Sequence, residues 1–144
     1  MEVIQGKASQ VRSSVDVSGG HHGIFVNTKH IALFQIDTLP IKVTATETPI
    51  IQEHHEIKVS GVMKNGQLSA YAYHNLSTSS KGDRGYMRKF FGSAILIIIG
   101  IYLWFYLGNE LGYGIKLVSG FFILVGLYYL NVGKNILQAV KDIE

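Results

Sequence analysis

Residues 90–107 read FFGSAILIIIGIYLWFYL and carry no charged side chain. As a helix this stretch spans about 27 Å, close to the roughly 30 Å hydrocarbon core of a bilayer. A second apolar stretch, residues 117–132, reaches span length when Ile115 and a snorkelling Lys116 are added. Because a chain of 144 residues cannot bury two helices that are apolar on all sides, the two stretches predict a transmembrane hairpin (spans 90–107 and 115–132).

The basic residues around this hairpin predict its orientation. Residues 108–114, GNELGYG, form a short glycine-rich loop between the predicted spans. Lys134 and Lys141 follow the second span, whereas the loop side carries only Lys116. Four basic residues precede the first span, namely Lys81, Arg84, Arg88 and Lys89. Since lysine and arginine are retained on the cytoplasmic side, we expect both termini in the cytoplasm. A bacterial inner membrane is the expected location.

Small residues inside the spans offer places where helices approach closely. The four glycines concerned are Gly92, Gly100, Gly120 and Gly126. Glycine lets helix backbones pack against each other, either within one hairpin or between the hairpins of several copies. Both interpretations remain open from the sequence.

The last residues, 133–144, repeat apolar side chains at helical spacing. Those side chains are Ile136, Leu137, Val140 and Ile143. Such a pattern predicts a short amphipathic tail on the cytoplasmic membrane surface, or alternatively the frayed end of the second span.

The N-terminal residues 1–78 alternate apolar and polar side chains, which is typical of half-buried strands. The expected strands cover residues 3–17, 30–37, 40–47, 55–64 and 67–76. Asn65-Gly66 between the last two predicts a type I′ hairpin turn. Five short antiparallel strands with a long first strand predict a small oligonucleotide/oligosaccharide-binding (OB)-like barrel, with its usual helix reduced to residues 48–54. An SH3-like barrel or a small sandwich are the alternatives.

The plan of an OB-like barrel joined to membrane helices resembles the NfeD-type membrane proteins of bacteria. In those proteins the barrel usually follows the helices, whereas here it precedes them. The resemblance covers architecture only, so no functional residue is carried over from it. Residues 79–89, SSKGDRGYMRK, are polar and predict a flexible basic juxtamembrane linker between barrel and membrane.

One face of the barrel is a candidate binding surface. Tyr71 and Tyr73 are expected to share the face opposite Leu68, Ala70 and Ala72. Lys42 and Lys58 occupy corresponding positions on two other strands. Stacking tyrosines with nearby lysines are typical of barrels that bind single-stranded nucleic acid. The alternative is that the tyrosines belong to a second buried side of the barrel. The net charge of +3 is modest for a nucleic-acid-binding protein.

Other side chains that carry chemistry form no recognisable catalytic or cofactor motif. The pairs His21-His22 and His54-His55 contain residues of the type that binds zinc, but loop histidines in contact with solvent are the favoured interpretation. The absence of cysteine excludes thiolate metal sites and disulfides. Asn75-Leu76-Ser77 matches a glycosylation acceptor, which a cytoplasmic domain would not use. We therefore expect no catalytic residue, no cofactor and no metal.

The sequence thus favours a non-enzymatic protein anchored to membrane lipid. Its cytoplasmic barrel is expected to bind a protein partner or to form a homo-oligomer, as an adaptor or assembly subunit. A membrane-tethered module for single-stranded nucleic acid is the first alternative. An immunity-type or accessory subunit of a membrane complex, with loop 108–114 as a contact point, is the second.

Overall fold

The chain folds into two compact units. The computed structural model describes residues 1–19, 26–110 and 112–144. The barrel unit contains Met1–Arg84 together with Ile136–Glu144, and the helical unit contains Gly85–Asn135.

Five strands close the barrel. They are β1 (Glu2–Gly19), β2 (Val26–Ile36), β3 (Leu39–Ala45), β4 (Glu56–Lys64) and β5 (Gln67–Asn75). Strand β1 pairs with both β2 and β4, and β3 closes the ring through a parallel pairing with β5. The strand order around the barrel is therefore 1-2-3-5-4-1. The predicted OB-like barrel is confirmed, followed by two helices that are long and apolar enough to span a membrane.

The barrel core follows the period-two alternation of the sequence. Inward-facing side chains from β2 to β5 are almost fully buried, among them Phe34, Ile41, Val59 and Leu68. Each such side chain stabilises the fold by about 1.5–3 kcal/mol through removal of apolar surface from water. Between β4 and β5, Asn65 and Gly66 both have positive φ, at 51° and 75°, as the predicted hairpin turn requires.

The predicted linker 79–89 is not a linker over its whole length. Residues Ser80–Asp83 form a sixth strand, β6, which pairs antiparallel with the end of β5 from Ala72 to Asn75. The sequence does not predict this strand because its four residues, SKGD, are polar or glycine and show no apolar alternation. Gly85, with φ 78°, then lets the chain turn into the first helix.

The helical unit is built from two long helices. Helix α1 (Tyr86–Tyr102) continues into a π-helical stretch (Leu103–Leu107) and a short α2 (Gly108–Glu110), and α3 covers Tyr113–Ile143. The 22 residues from Tyr86 to Leu107 extend about 33 Å, and the 31 residues of α3 about 46 Å. Helix α3 is thus longer than the predicted span 115–132.

The predicted tail 133–144 is the continuation of α3, and its apolar face is covered by the barrel. Ile136, Ala139 and Ile143 are at most 2% exposed. Ala139 and Ile143 form a cluster with Ala72 on the outer side of β5. The tail is therefore neither a separate surface helix nor a frayed end, because a protein wall satisfies the same apolar spacing that a membrane surface would.

Candidate binding surfaces

The four residues of the predicted binding face do not form one surface. Lys42 on β3 lies opposite Ser69, and Lys58 on β4 lies opposite His74, both on the outer wall. Tyr71 is half-buried on that wall, but Tyr73 is only 2% exposed and belongs to the barrel core. Tyr71 and Tyr73 therefore do not form the predicted two-tyrosine platform.

A β-bulge separates the two tyrosines. Ser60 pairs with Ala72 and Gly61 pairs with Ala70, which leaves Tyr71 as the extra residue of β5. The bulge reverses the alternation, so that Ala70 and Tyr73 both face the core. Gly61 permits it because a Cβ at this position would overlap the carbonyl oxygen of Ser69. A glycine inside an alternating strand was the signal in the sequence for this bulge.

Arg84 is held against the outer wall of the barrel. Its Nη2 donates a hydrogen bond to Ser69 Oγ at 2.9 Å, and its Cζ lies 4.7 Å from the centroid of the Tyr71 ring. Burial lowers the pKa of Arg84 from its ordinary value because it disfavours the cation, and Tyr71 partly opposes that change. Arg84 therefore stabilises the barrel surface and is not a free membrane-flanking cation.

The other three predicted flanking residues occupy different surroundings. Lys81 is exposed on β6, opposite His74, and Arg88 is exposed on α1. The Nζ of Lys89 lies 4.7 Å from the ring centroid of Tyr129 on α3, a cation–π distance. Lys81 and Arg88 are thus the members of the set whose charge faces solvent.

The outer wall of β4 and β5 is occupied where the end of α3 packs. Ala72 contacts Ala139 and Ile143, with Tyr71 and Val140 at the margin of the same cluster. Ser60, fully buried, donates to Asp142 Oδ2 at 3.4 Å. We call this region the covered wall. It offers no surface to an external ligand.

Asn75 organises the end of the barrel next to the covered wall. Its side chain is fully buried, and Nδ2 donates to the carbonyl oxygen of Ile50 at 2.6 Å and to His55 Nδ1 at 2.9 Å. Its Oδ1 accepts bonds from the backbone N–H groups of Ser77 and Thr78 at 3.0 and 3.3 Å. Every hydrogen-bonding position of the amide is used, so the glycosylation pattern at Asn75 is structural.

The segment that carries His54 and His55 is fixed to β1. The backbone of Ala8 exchanges hydrogen bonds with both residues, at 2.8 Å with His54 and 2.9 Å with His55. His55 is further occupied by Asn75, and Glu53 Oε1 accepts from the N–H of Val11 at 2.7 Å. Among the residues that the structure describes, no three metal-ligating side chains come together. His21 and His22 lie outside the described residues.

In the described part of the chain, Asp16–Gly19 of β1 and Val26–Lys29 of β2 pair with each other and with no third strand, whereas His30–Leu33 of β2 also pair with β3. Residues 12–19 of β1 pair with residues 26–33 of β2, and we call this hairpin the β1–β2 arm. Val15 and Val17 on the arm are 56% and 61% exposed. Ser13 lies directly opposite Ala32, which is buried in the barrel, and Val15 lies opposite His30. Directly opposed residues point to the same face of a sheet, and Val15 and Val17 follow Ser13 at intervals of two, so both valines lie on the face of Ala32. The face of the sheet that packs on the core in the barrel is therefore exposed at Val15 and Val17 on the arm.

The helical unit packs through two equivalent contacts. Added Cβ atoms at Gly100 and Gly126 would each lie 2.6 Å from an isoleucine of the other helix, Ile123 and Ile97 respectively. Each glycine also faces the backbone of a buried serine, Ser119 or Ser93. These residues follow the same spacing in both helices, Ser-x3-Ile-x2-Gly, which is a repeat that sequence inspection could have found.

Only two of the four predicted packing glycines serve the hairpin. No heavy atom lies within 4 Å of a Cβ added at Gly92 or Gly120, whereas Gly100 and Gly126 are buried. Packing within one hairpin thus explains Gly100 and Gly126. Association of several hairpins through Gly92 or Gly120 stays a prediction.

Comparisons with known proteins give this chain no relative. No family model, no curated protein and no solved structure matches it. The resemblance to NfeD-type proteins therefore stays one of architecture, and any function has to be argued from the surfaces described above.

Proposed function

We propose that this protein is a non-enzymatic adaptor or assembly subunit, anchored in a bacterial inner membrane by its two long helices. Its barrel lies in the cytoplasm and binds a protein partner or a second copy of the chain. The observation that carries this proposal is the β1–β2 arm, because it leaves apolar side chains and a strand edge in solvent.

The arm has the properties of a protein-binding element. Val15 and Val17 are each more than half exposed, although the same face of the sheet is buried elsewhere. Burial of each of these side chains against a partner would stabilise the complex by about 1 kcal/mol or more. An open strand edge adds backbone hydrogen bonds when an extended segment pairs with it, a common mode of peptide and protein recognition.

The proposed orientation rests on the distribution of basic residues. Lys81 and Arg88 are exposed near the start of α1, and Lys134 and Lys141 are exposed near the end of α3. Positive charges of this kind favour the cytoplasmic side. Because the chain has no cysteine, single cysteines at Ser79 and Asn109 can be labelled selectively in intact cells. We expect a membrane-impermeant maleimide to label Asn109→Cys from outside and to label Ser79→Cys only after lysis.

The function is tested by crosslinking and mass spectrometry of the full chain in native membranes. We expect residue pairs that join the barrel unit to another protein or to a second copy, with several of them on the arm. Recovery of the monomer alone, under several crosslinker lengths, would contradict the proposal. Salt-sensitive binding of single-stranded DNA or RNA without any protein crosslink would instead support the nucleic-acid alternative.

A further inference from the structure

We infer that the β1–β2 arm binds a second copy of itself, by antiparallel pairing of the free edge of β1 with the same edge of the other copy. This inference rests on the proposed function and names the partner. In the paired arms, Arg12 of each copy lies opposite Asp16 of the other.

The outer edge of β1 changes character along its length. Residues Glu2–Lys7 pair with β4, and the Glu53 carboxylate accepts the N–H of Val11. From Arg12 onward, the described part of the chain gives β1 one neighbour, strand β2. The stretch from Arg12 to Val17, RSSVDV, contains no proline, and its two charged side chains are opposite in sign, so they oppose pairing only in registers that leave them unmatched. Its backbone is therefore available for a further strand.

The side chains of this stretch complement themselves in one antiparallel register. With Ser14 opposite Ser14 of the second copy, Arg12 faces Asp16 twice and Ser13 faces Val15 twice. A two-fold symmetric pairing of this kind is closed, so it yields dimers and not fibres. Opposite charges directly across a strand pair are favourable, whereas like charges are not.

The cross-strand neighbours that Arg12 and Asp16 have within one arm are compatible with this pairing between copies. Within one arm Asp16 lies opposite Lys29, whereas Arg12 lies opposite the apolar Leu33. In the dimer Asp16 would sit between two cations, and Arg12 would gain a carboxylate neighbour. Shifting the register by one residue on each strand would instead place Asp16 opposite Ser14 and lose both charge pairs.

The first test uses a single cysteine in the full chain in native membranes. Directly opposed residues of an antiparallel pair have Cα atoms about 4.5 or 5.5 Å apart, within disulfide range. We expect Ser14→Cys to form a covalent dimer under mild oxidation. The control Lys29→Cys lies one strand away from the edge. Three strand spacings across the sheet and four residues along it place the two cysteines about 20 Å apart, so this variant should remain monomeric. Equal dimer yields from both variants, or none from Ser14→Cys, would overturn the inference.

The second test reverses the charges. In the Ser14→Cys background, R12E alone or D16K alone places like charges opposite each other twice, and each variant should form about tenfold less homodimer. A mixture of R12E and D16K restores two opposite-charge pairs, so differently tagged copies should form the mixed dimer at the original level. A loss that the mixture does not rescue would contradict the register.

These results separate the inference from the function on which it rests. If Ser14→Cys stays monomeric while crosslinks join the arm to another protein, self-pairing is wrong and the adaptor function stands. If neither a second copy nor any other protein is captured, both fail.

Discussion

The covered wall and the β1–β2 arm are parts of the same sheet, but apolar side chains are buried on the wall and exposed on the arm. On the covered wall, Ala72 is hidden by Ala139 and Ile143, and the neighbouring Asn75 has every hydrogen bond satisfied. On the arm, Val15 and Val17 remain exposed. The chain thus covers one surface with its own helix, and under the proposed function another molecule covers the other. Substitutions should therefore change stability on the wall and association on the arm.

The largest expected effect on stability is at Asn75. Asn75→Ala would leave the carbonyl oxygen of Ile50 and the N–H groups of Ser77 and Thr78 without their partners. We expect a loss of about 3 kcal/mol in the free energy of unfolding. Denaturant unfolding in detergent, followed by circular dichroism of the strands, measures it. Thr78→Ala, which keeps the backbone N–H, is the control, and equal losses from both variants would show that Asn75 is not the organising residue.

A smaller loss is expected where α3 covers the wall. Ala139 is 0% exposed, so Ala139→Leu would force the helix away from Ala72 at a cost of about 2 kcal/mol. Lys141→Ala on the exposed side of the same helix should change the free energy of unfolding by less than about 0.5 kcal/mol. Thermal melting of both variants in detergent gives the comparison. An unchanged melting temperature for Ala139→Leu would mean that the helix end does not pack on the barrel.

Arg84 gives a third, weaker test of the wall. Arg84→Lys keeps the charge but loses the Nη2 bond to Ser69 and the flat contact with the Tyr71 ring. We expect a cost of about 1 kcal/mol. The matched change Arg88→Lys, at an exposed position, should be neutral within about 0.5 kcal/mol. If Arg84→Lys and Arg88→Lys change the free energy of unfolding by the same amount, Arg84 is an ordinary flanking cation.

A substitution on the arm should have almost no effect on the free energy of unfolding. Val15→Thr keeps the β-branched shape and the strand propensity of an exposed residue, so the unfolding free energy should change by less than about 0.5 kcal/mol. Association should weaken, because the apolar contact is lost. Disulfide capture through Ser14→Cys, compared with and without Val15→Thr, measures this. A clear stability loss without any change in capture would place Val15 in a core and not in an interface.

Much of the barrel could be predicted because its core obeys a strict period of two. Residues such as Ile41 and Val43 on β3 face inward just as their spacing indicates. The candidate face was harder, since one extra residue at Tyr71 reverses the alternation and sends Tyr73 into the core. Gly61 signalled an irregularity, but the sequence alone does not show on which strand the extra residue falls.

The end of α3 shows a second limit of sequence reasoning. The spacing of Ile136, Val140 and Ile143 correctly indicates a helix with one apolar face. Spacing does not identify what covers that face, because a lipid surface and a wall of alanines bury the same side chains. The identity of the covering surface is a property of the tertiary fold, set here by small residues at Ala72 and Ala139.

Photo-crosslinking from single positions of the full chain in native membranes tests whether the arm is the interaction surface. A photoreactive amino acid at Val15 is compared with one at Lys64, which is exposed at the opposite β4–β5 hairpin. We predict that Val15 yields a crosslinked band several-fold stronger than Lys64, and that the captured protein is a second copy of the chain. Equal yields at both positions, or crosslinks from Lys64 alone, would mean that the arm is not the interaction surface.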